Sequence, residues 1–396
     1  MSREPSISVT AQVKPSGQLR ISLQALRETG RGEILGRHFA TGEPIRLVCE
    51  AGRISRIEPF AGAAPGTWLA PPLFDLQVNG YGGIDFQQDN LSVDQLLSAV
   101  RQLRADGCAR FLLTLITDDW ARLMHRLASL RRLRAQSPEL LYAVAGWHIE
   151  GPFLSPKPGF HGTHDPALVC DPAPRHIREL RAVTGADPVL LTLAPERAGA
   201  IEAISLATSL GIKVSLGHTD ASAETLERAI QAGAVCFTHL GNGCPSELNR
   251  HDNILWRVLD TPRLPVSLIP DRIHVSPPFF RLVHRLLQPR VCYITDAMAA
   301  AGAPPGRYTL GRLELEVGPD QVVRRPGSPF LSGSALRPID GILRAAWMLG
   351  CAWQDVWPRF SEFPASMIGL ECHLAVGQPS DFCVLRSQTC FETQGV

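Results

Sequence analysis

Residues 147–153 read Trp-His-Ile-Glu-Gly-Pro-Phe, and they follow the apolar run 141–146. This run has the composition of a buried β-strand, and Pro152 ends it because proline has no N–H group to continue a β-ladder. Glu150 is therefore predicted to lie at the end of a strand. A carboxylate there is either a solvated loop charge, as most Glu side chains are, or an oxygen ligand for a divalent metal. The strands that follow decide between the two interpretations.

From Pro71 onward, strand-like segments alternate with amphipathic segments. Eight candidate strands occur, at 73–80, 110–117, 142–150, 188–196, 213–220, 234–242, 265–271 and 291–298. Helical patterns lie between them, and the first, 93–106, follows a capping box formed by Ser92 and Gln95. The pattern predicts an α/β fold with a parallel TIM-type (β/α)8 barrel, in which polar residues at the strand ends line one mouth.

The segments outside the barrel predict a second, smaller unit. Residues 36–70 contain short alternating strands, such as 45–49 and 53–57, which is typical of half-buried antiparallel strands. The tail, strand-like at 382–385, is expected to return to this unit. We therefore predict a small β-sandwich domain from 36–70 and 372–396, a barrel domain over 71–371 and a polar N-terminal extension over 1–35.

Composition excludes several classes of partner. The chain has 39 basic and 38 acidic residues, so it carries no charge excess that would indicate a nucleic-acid or acidic membrane partner. No apolar run is long enough to span a bilayer, and residues 1–5 lack the apolar core of a signal peptide. We expect a soluble, cytoplasmic protein. The ten cysteines are scattered without a C-x-x-C pair, which indicates neither a thiolate zinc site nor a disulfide framework.

Polar residues at four predicted strand ends form a possible metal and catalytic site. Glu150 ends the third strand, His218 lies at the end of the fifth, His239 at the end of the sixth and Asp296 at the end of the eighth. A lone histidine is more often a structural group, but a barrel brings these four positions to one mouth. Two histidines and a carboxylate with an open position form a catalytic metal site in zinc hydrolases.

Seven segments resemble, in the right order, the N-acetylglucosamine-6-phosphate deacetylase family of the amidohydrolase superfamily. They are residues 74–80, 148–153, 192–196, 217–219, 238–242, 295–297 and 331–334. The resemblance extends over residues 36–390. It implies metal-dependent hydrolysis of the acetamide of N-acetylglucosamine 6-phosphate, giving glucosamine 6-phosphate and acetate.

The resemblance also implies roles for individual residues. Glu150, His218 and His239 match the family's metal ligands, and Asp296 matches its catalytic acid/base. In a homodimer, Arg250 would reach the phosphate of the neighbouring subunit's substrate. The other residues predicted to bind substrate are Gln77, Asn79, Thr163, His164, Asn242, Gly243, Arg272, His274, Ser332, Gly333 and Ser334.

The first strand indicates how many metals bind. Many amidohydrolases carry His-x-His there, which helps to bind a second metal, whereas this chain has Gln77 and Asn79. Carboxamides are weak ligands for transition metals compared with imidazole. We therefore predict one divalent metal per subunit, with Zn²⁺ as the expected ion. Gln77 or His164 could stabilise the oxyanion of the tetrahedral intermediate.

Several positions depart from the family pattern on the substrate side. Gly243-Cys244 stands where a small residue and Met are usual, and Arg272 stands where glycine is usual. Arg272 either points to solvent or enters the pocket and adds an anion contact. The alternatives to the implied activity are a deacylase of another N-acyl amino sugar or amide, and a non-catalytic metal-binding relative. His148 is interpreted as packing or orienting a ligand, not as binding metal.

Overall fold

The structure is a computed structural model that describes residues 19–25, 31–62, 66–261, 263–327 and 331–387. The predicted N-terminal extension at 1–18 and 26–30, and the predicted tail at 388–396, lie outside the described residues. Within the described ranges, no helix has the length and apolar character needed to cross a bilayer.

A six-stranded sheet joins the two ends of the described chain. Its strands are β1 Leu19–Ala25, β2 Arg31–His38, β3 Pro44–Glu50, β4 Arg53–Pro59, β5 Thr67–Ala70 and β19 Asp381–Ser387. β19 pairs antiparallel with both β1 and β5, so the small β domain combines segments from both ends as predicted. The described strands form one sheet, where the sequence predicted a sandwich. β1 lies in the range that was predicted as an N-terminal extension. The strand was not predicted because its pairing with β19 has no local signal in the sequence.

Eight parallel strands confirm the predicted barrel. They are β6 Leu73–Val78, β9 Cys108–Ile116, β10 Val144–Glu150, β11 Val189–Leu193, β12 Lys213–Leu216, β13 Ala234–Phe237, β14 Val266–Leu268 and β15 Val291–Tyr293. Seven of them, all except β10, end before the predicted segment does, because the polar residues at the end of that segment leave the ladder and form the barrel mouth. β10 begins later than predicted, since Ser137 caps a short helix that Pro138 starts.

Helices surround the barrel between the strands. They are α1 Val93–Ala105, α2 Trp120–Arg134, α3 Pro138–Ala143, α4 Pro174–Thr184, α5 Ala200–Ser209, α6 Ala223–Gln231, α7 Ile254–Leu259, α8 Pro277–Leu287, α9 Pro338–Leu349, α10 Trp353–Val356 and α11 Glu362–Met367. The capping box of α1 is present: Gln95 N donates to Ser92 Oγ at 3.2 Å, and Ser92 N donates to Gln95 Oε1 at 2.9 Å.

Two small antiparallel sheets lie near the mouth. They consist of β7 Gly80–Tyr81 and β8 Ile84–Asp85, and of β16 Gly306–Leu310, β17 Leu313–Val317 and β18 Val323–Arg324. The β16–β17 turn is fastened to the barrel, because Gly311 N donates to Asp85 at 2.9 Å and Arg312 pairs with Asp118 at 2.7 Å. Our sequence analysis did not predict this insertion, although its apolar alternation was a usable signal.

Candidate metal centre and active site

The loops that follow the barrel strands position the predicted site residues. Glu150 is the last residue of β10, while His218, His239 and Asp296 lie two or three residues beyond the ends of their strands. The backbone of these three has φ of 51°, 34° and 50°, a left-handed conformation that is uncommon for residues other than glycine. Such conformations persist where the surrounding structure holds them, and they concentrate at functional sites.

Three imidazoles surround the buried carboxylate of Glu150. Its Oε1 atom lies 2.8 Å from His239 Nε2 and 3.4 Å from His218 Nε2, and its Oε2 atom lies 3.7 Å from His164 Nε2. All four side chains are buried. Burial alone would raise the pKa of Glu150, but the bonds from His218 and His239 outweigh it and hold this pKa well below its usual range. The carboxylate is therefore charged and available as a ligand.

This group fits a divalent metal. Glu150, His164 and His218 each offer a ligand atom within 4.8 Å of the others, and His239 contacts the same carboxylate. The Nδ1 atoms of His164 and His239 are buried without a hydrogen-bond partner. A carboxylate with two imidazoles is a donor set typical of catalytic zinc. The structure thus brings together the predicted set of Glu150, His218 and His239, and it places His164 as a competing third ligand.

Two amides connect Asp296 to this centre. Asn79 Nδ2 donates to Asp296 Oδ1 at 2.7 Å, and Gln77 Nε2 donates at 3.0 Å both to that atom and to Glu150 Oε1. Both side chains therefore act as donors to carboxylates. Burial, followed by the nearby charge of Glu150, raises the pKa of Asp296 to about 6. A carboxylate with such a pKa can exchange a proton near neutral pH.

The comparisons with known proteins identify the family. The chain is 34% identical over 356 residues to the N-acetylglucosamine-6-phosphate deacetylase of Bos taurus, covering 87% of this chain and 85% of that protein. The chain belongs to the N-acetylglucosamine-6-phosphate deacetylase family. It is also 30% identical over 325 residues to the N-acetylgalactosamine-6-phosphate deacetylase of Escherichia coli O157:H7, covering 81% and 84% of the two chains. No protein-family model matches the chain.

A solved structure agrees with this assignment. A variant of N-acetyl-D-glucosamine-6-phosphate deacetylase from Mycobacterium smegmatis, in complex with N-acetyl-D-glucosamine 6-phosphate, superposes with a TM-score of 0.79 at 28% identity. The superposition covers 89% of this chain and 94% of that one. The barrel and the small sheet described above are therefore the fold of the deacetylase family.

Two glycine-containing segments border the His218 ring. A Cβ atom on Gly243, whose φ is 61°, would lie 2.9 Å from His218 Nδ1, and one on Gly162 would lie 3.0 Å from His218 Cε1. Thr163 and His164 follow Gly162 directly, and Asn242 Nδ2 donates to His239 O at 3.3 Å. The predicted substrate-binding residues of these two segments thus lie against the metal-binding group.

His274 is held by a neighbour that the sequence analysis missed. Its Nδ1 atom lies 2.6 Å from Asp271 Oδ2, while Asp271 Oδ1 accepts from the backbone N–H groups of Ile273 and His274, each at 2.8 Å. Burial would raise the pKa of Asp271, but the charge and hydrogen bonds of His274 lower it. A carboxylate at the end of the seventh predicted strand, three residues before a histidine, was the signal that could have found this pair.

The 332–334 loop packs against Asp296. Ser334 N donates to Asp296 O at 2.9 Å, and Ser334 Oγ donates to Thr295 O at 2.6 Å. A Cβ atom on Gly333, with φ of 68°, would lie 3.3 Å from Asp296 O. Ser332 Oγ is buried without a hydrogen-bond partner in the described structure, so it can accept a ligand contact. Ser334 supports the backbone of Asp296.

The two arginines of the predicted substrate set lie at the surface. Arg272 is exposed, and its guanidinium stacks 4.0 Å from the ring centroid of the exposed Trp347 on α9. This position matches the solvent-facing alternative, because Asp271 takes the inward position next to it. Arg250 is exposed on the loop before α7, where its carbonyl accepts from Trp256 Nε1 at 3.1 Å.

His148 lies in a hydroxyl network beneath the metal-binding group. Its Nε2 atom is 2.8 Å from Thr192 Oγ1, which is 3.0 Å from Thr238 Oγ1, and Ser215 Oγ lies 2.6 Å from Thr238. Burial lowers the pKa of His148 to about 4, so the imidazole is neutral. These contacts match the interpretation of His148 as a packing residue.

Proposed function

We propose that this chain hydrolyses the acetamide of N-acetylglucosamine 6-phosphate to glucosamine 6-phosphate and acetate. One observation carries the proposal: in a member of the deacetylase family, Gln77 links the carboxylate of Asp296 to the buried Glu150, which three imidazoles surround. The site supplies a metal-binding group and a proton-transfer group at one barrel mouth. The substrate is inferred from the similarity of the chain to N-acetylglucosamine-6-phosphate deacetylases.

The metal is proposed to be one Zn²⁺ per subunit, held by Glu150, His218 and His239. The donor types support this choice, and the amides of Gln77 and Asn79 donate to carboxylates and so do not serve as ligands. A divalent metal, when bound, lowers the pKa of water and polarises a carbonyl group. His164 is the alternative third ligand, because its Nε2 atom also faces Glu150.

Asp296 is proposed as the general base and then the general acid. It accepts a proton from the attacking water, whose oxygen bonds to the acetyl carbon, and it delivers this proton to the sugar nitrogen as the C–N bond breaks. Acetate leaves, and the sugar retains a free amine. Asn79 and Gln77 orient the carboxylate through the two bonds to its Oδ1 atom. These bonds leave the Oδ2 atom for proton transfer.

The substrate contacts are proposed from the loops around this centre. Thr163 and His164 would face the acetamide, and His164 would stabilise the oxyanion, because Gln77 already donates both of its amide hydrogens to carboxylates. His274, oriented by Asp271, would bind a sugar hydroxyl group. The remaining contacts to the sugar phosphate are assigned to Asn79, Asn242, Gly243, Ser332, Gly333 and Ser334. Arg272 is left out of this set, since its guanidinium stacks on Trp347.

The phosphate is proposed to bind Arg250 from the partner subunit of a homodimer. The planar guanidinium matches the geometry of phosphate oxygens. Exposure of Arg250 and of Trp256 beside it supports a role outside their own subunit.

We assign the chain to the cytoplasm. The nine described cysteines are free, which suits a reducing compartment. The domain division proposed from the sequence is kept, with barrel residues 71–371 and a small domain from 36–70 and 372–396, to which β1 adds a strand.

The second candidate is deacetylation of another N-acyl amino sugar, in particular N-acetylgalactosamine 6-phosphate. The Escherichia coli relative favours this substrate, because it covers nearly as much of the chain at similar identity. A non-catalytic metal-binding protein is disfavoured by Asp296, since a binder needs no proton-transfer carboxylate held by two amides.

The deciding experiment is acetate release by the purified, zinc-loaded protein. N-acetylglucosamine 6-phosphate is compared with N-acetylgalactosamine 6-phosphate and with unphosphorylated N-acetylglucosamine. We expect the first to be turned over most efficiently. Faster turnover of the galactosamine compound would select the second candidate, and no release from any of the three at one bound metal per subunit would refute both.

A further inference from the structure

The barrel has a seam between β6 and β15, its first and last strands. In the described chain, backbone ladders join the other seven neighbouring pairs of barrel strands. β6 and β15 are joined instead beyond β15, through the single bridge between Val78 and Ala297. Gln77 and Asn79 lie on one side of this seam, and Asp296 lies on the other. The catalytic hydrogen bonds therefore cross a boundary at which the two barrel strands themselves form no ladder.

A buried carboxylate spans the seam just below these bonds. Asp75 is fully buried, and its Oδ1 atom accepts from Gln77 N at 3.0 Å on its own strand. Its Oδ2 atom accepts from Thr295 N at 3.1 Å and from Thr295 Oγ1 at 2.5 Å across the seam. Thr295 Oγ1 in turn accepts from Ala297 N at 3.1 Å. Asp75 thus holds the backbone at Gln77 and at Thr295, while the Thr295 hydroxyl group that bonds to Asp75 also holds the backbone at Ala297, on the other side of Asp296.

The bonds of Asp75 replace a missing ladder. The N–H groups of Gln77 and Thr295 are buried, and unpaired buried N–H groups are costly. Because Thr295 immediately precedes Asp296, a shift of its backbone moves the catalytic carboxylate relative to Gln77. The 3.0 Å bond between Gln77 Nε2 and Asp296 Oδ1 depends on this register.

We propose that Asp75, acting with Thr295, is a positioning residue that closes the barrel seam and sets the catalytic Asp296 against Gln77 and Asn79. Its catalytic consequence rests on the proposed function, whereas its structural consequence does not. Asp75 touches neither the substrate nor the metal-binding residues in this role. Its effect reaches the reaction through the placement of Asp296.

The experiment compares Thr295→Val, which removes the hydroxyl donor at nearly constant shape, with Thr295→Ser, which keeps it. Thr184→Val is the matched control, because Thr184 is a fully buried threonine on α4 whose hydroxyl donates to Leu180 O at 2.8 Å. For each variant, kcat, KM, bound metal and thermal unfolding are measured on the full-length zinc-loaded protein. Amide hydrogen exchange is followed at Asn79, whose N–H donates to Ala297 O at 2.7 Å across the seam.

We expect Thr295→Val to lower kcat by at least about tenfold, with KM changed by less than about twofold and one metal bound, because small misplacements of a catalytic group are costly. Exchange of the Asn79 amide hydrogen should be faster in Thr295→Val than in wild type. Thr295→Ser should restore kcat to within about threefold of wild type, since it retains the hydroxyl group. Thr184→Val should lower the unfolding temperature without changing kcat.

The double variant of Asp75→Asn and Thr295→Val tests whether both residues act through one contact. Its kcat should lie within about twofold of the worse single variant, because residues in one hydrogen-bond network are not additive. A double variant whose loss in kcat equals the product of the two single losses would overturn the proposal. A kcat for Thr295→Val equal to that of Thr184→Val would overturn it as well. Absence of acetate release by the wild type would refute the proposed function. Amide hydrogen exchange at Asn79 that is unchanged in Asp75→Asn would refute the proposal that Asp75 closes the seam.

Discussion

Asp296→Asn separates proton transfer from binding. The asparagine carbonyl oxygen can accept the bonds that Asn79 and Gln77 now give to Asp296 Oδ1, at 2.7 and 3.0 Å, so the loop should keep its conformation. The variant loses the group that accepts and returns the proton. General acid–base groups contribute about 10²–10⁴ in rate, so kcat should fall at least about a hundredfold. This loss corresponds to about 2.7 kcal/mol or more of transition-state stabilisation.

The assay is acetate release under single-turnover and steady-state conditions, with bound metal measured on the same samples. We expect one metal equivalent and a KM within about threefold of wild type, because an unchanged ground state is the signature of a lost transition-state interaction. Asp381→Asn is the control: it removes a buried carboxylate of the small domain, which pairs at 3.2 Å with Arg104 on the barrel helix α1, and it should leave kcat unchanged. Near-wild-type activity of Asp296→Asn would refute the assigned role.

Three further predictions concern the metal, the phosphate and the buried carboxylate. His239→Ala should lose bound zinc while His164→Ala keeps it, and the reverse result in metal analysis would assign His164 as the ligand. Arg250→Ala should raise KM at least about tenfold for phosphorylated substrates only, as expected for a lost bidentate contact. Arg272→Ala is the control and should leave KM for phosphorylated substrates unchanged. An equal rise in KM for phosphorylated and unphosphorylated substrates in Arg250→Ala would show that Arg250 does not bind the phosphate. Burial raises the pKa of Asp75 to about 7, so the native state holds a proton that the unfolded state releases near pH 4. The difference in unfolding free energy between wild type and Asp75→Asn should therefore shift against the wild type as the pH rises from about 4 to about 7. Denaturant titrations in which this difference does not change with pH would contradict the prediction.

The candidate site was predictable to the extent that it follows strand ends. Glu150, His218, His239 and Asp296 each end or closely follow a barrel strand, and the barrel geometry alone brings them to one mouth. Asp271 was missed although its bonds to Ile273 and His274 are local and their spacing was a usable signal. Asp75 was missed because it acts through hydrogen bonds to Thr295, whose spatial position the sequence does not state. The outward direction of Arg272 was left open for the same reason, because only its contact with Trp347 on α9 decides it.

The sequence by itself determined the elements whose signals are local. The Ser92 capping box begins α1, and the eight strands occur in the predicted order. Hydrophobic period, caps and proline positions act over a few residues, so they can be read along the chain. Only the tertiary structure decided which distant segments meet: β1 with β19, His164 with Glu150, and Asp75 with Thr295. These contacts form when the barrel closes, because closure brings together residues that no periodicity links.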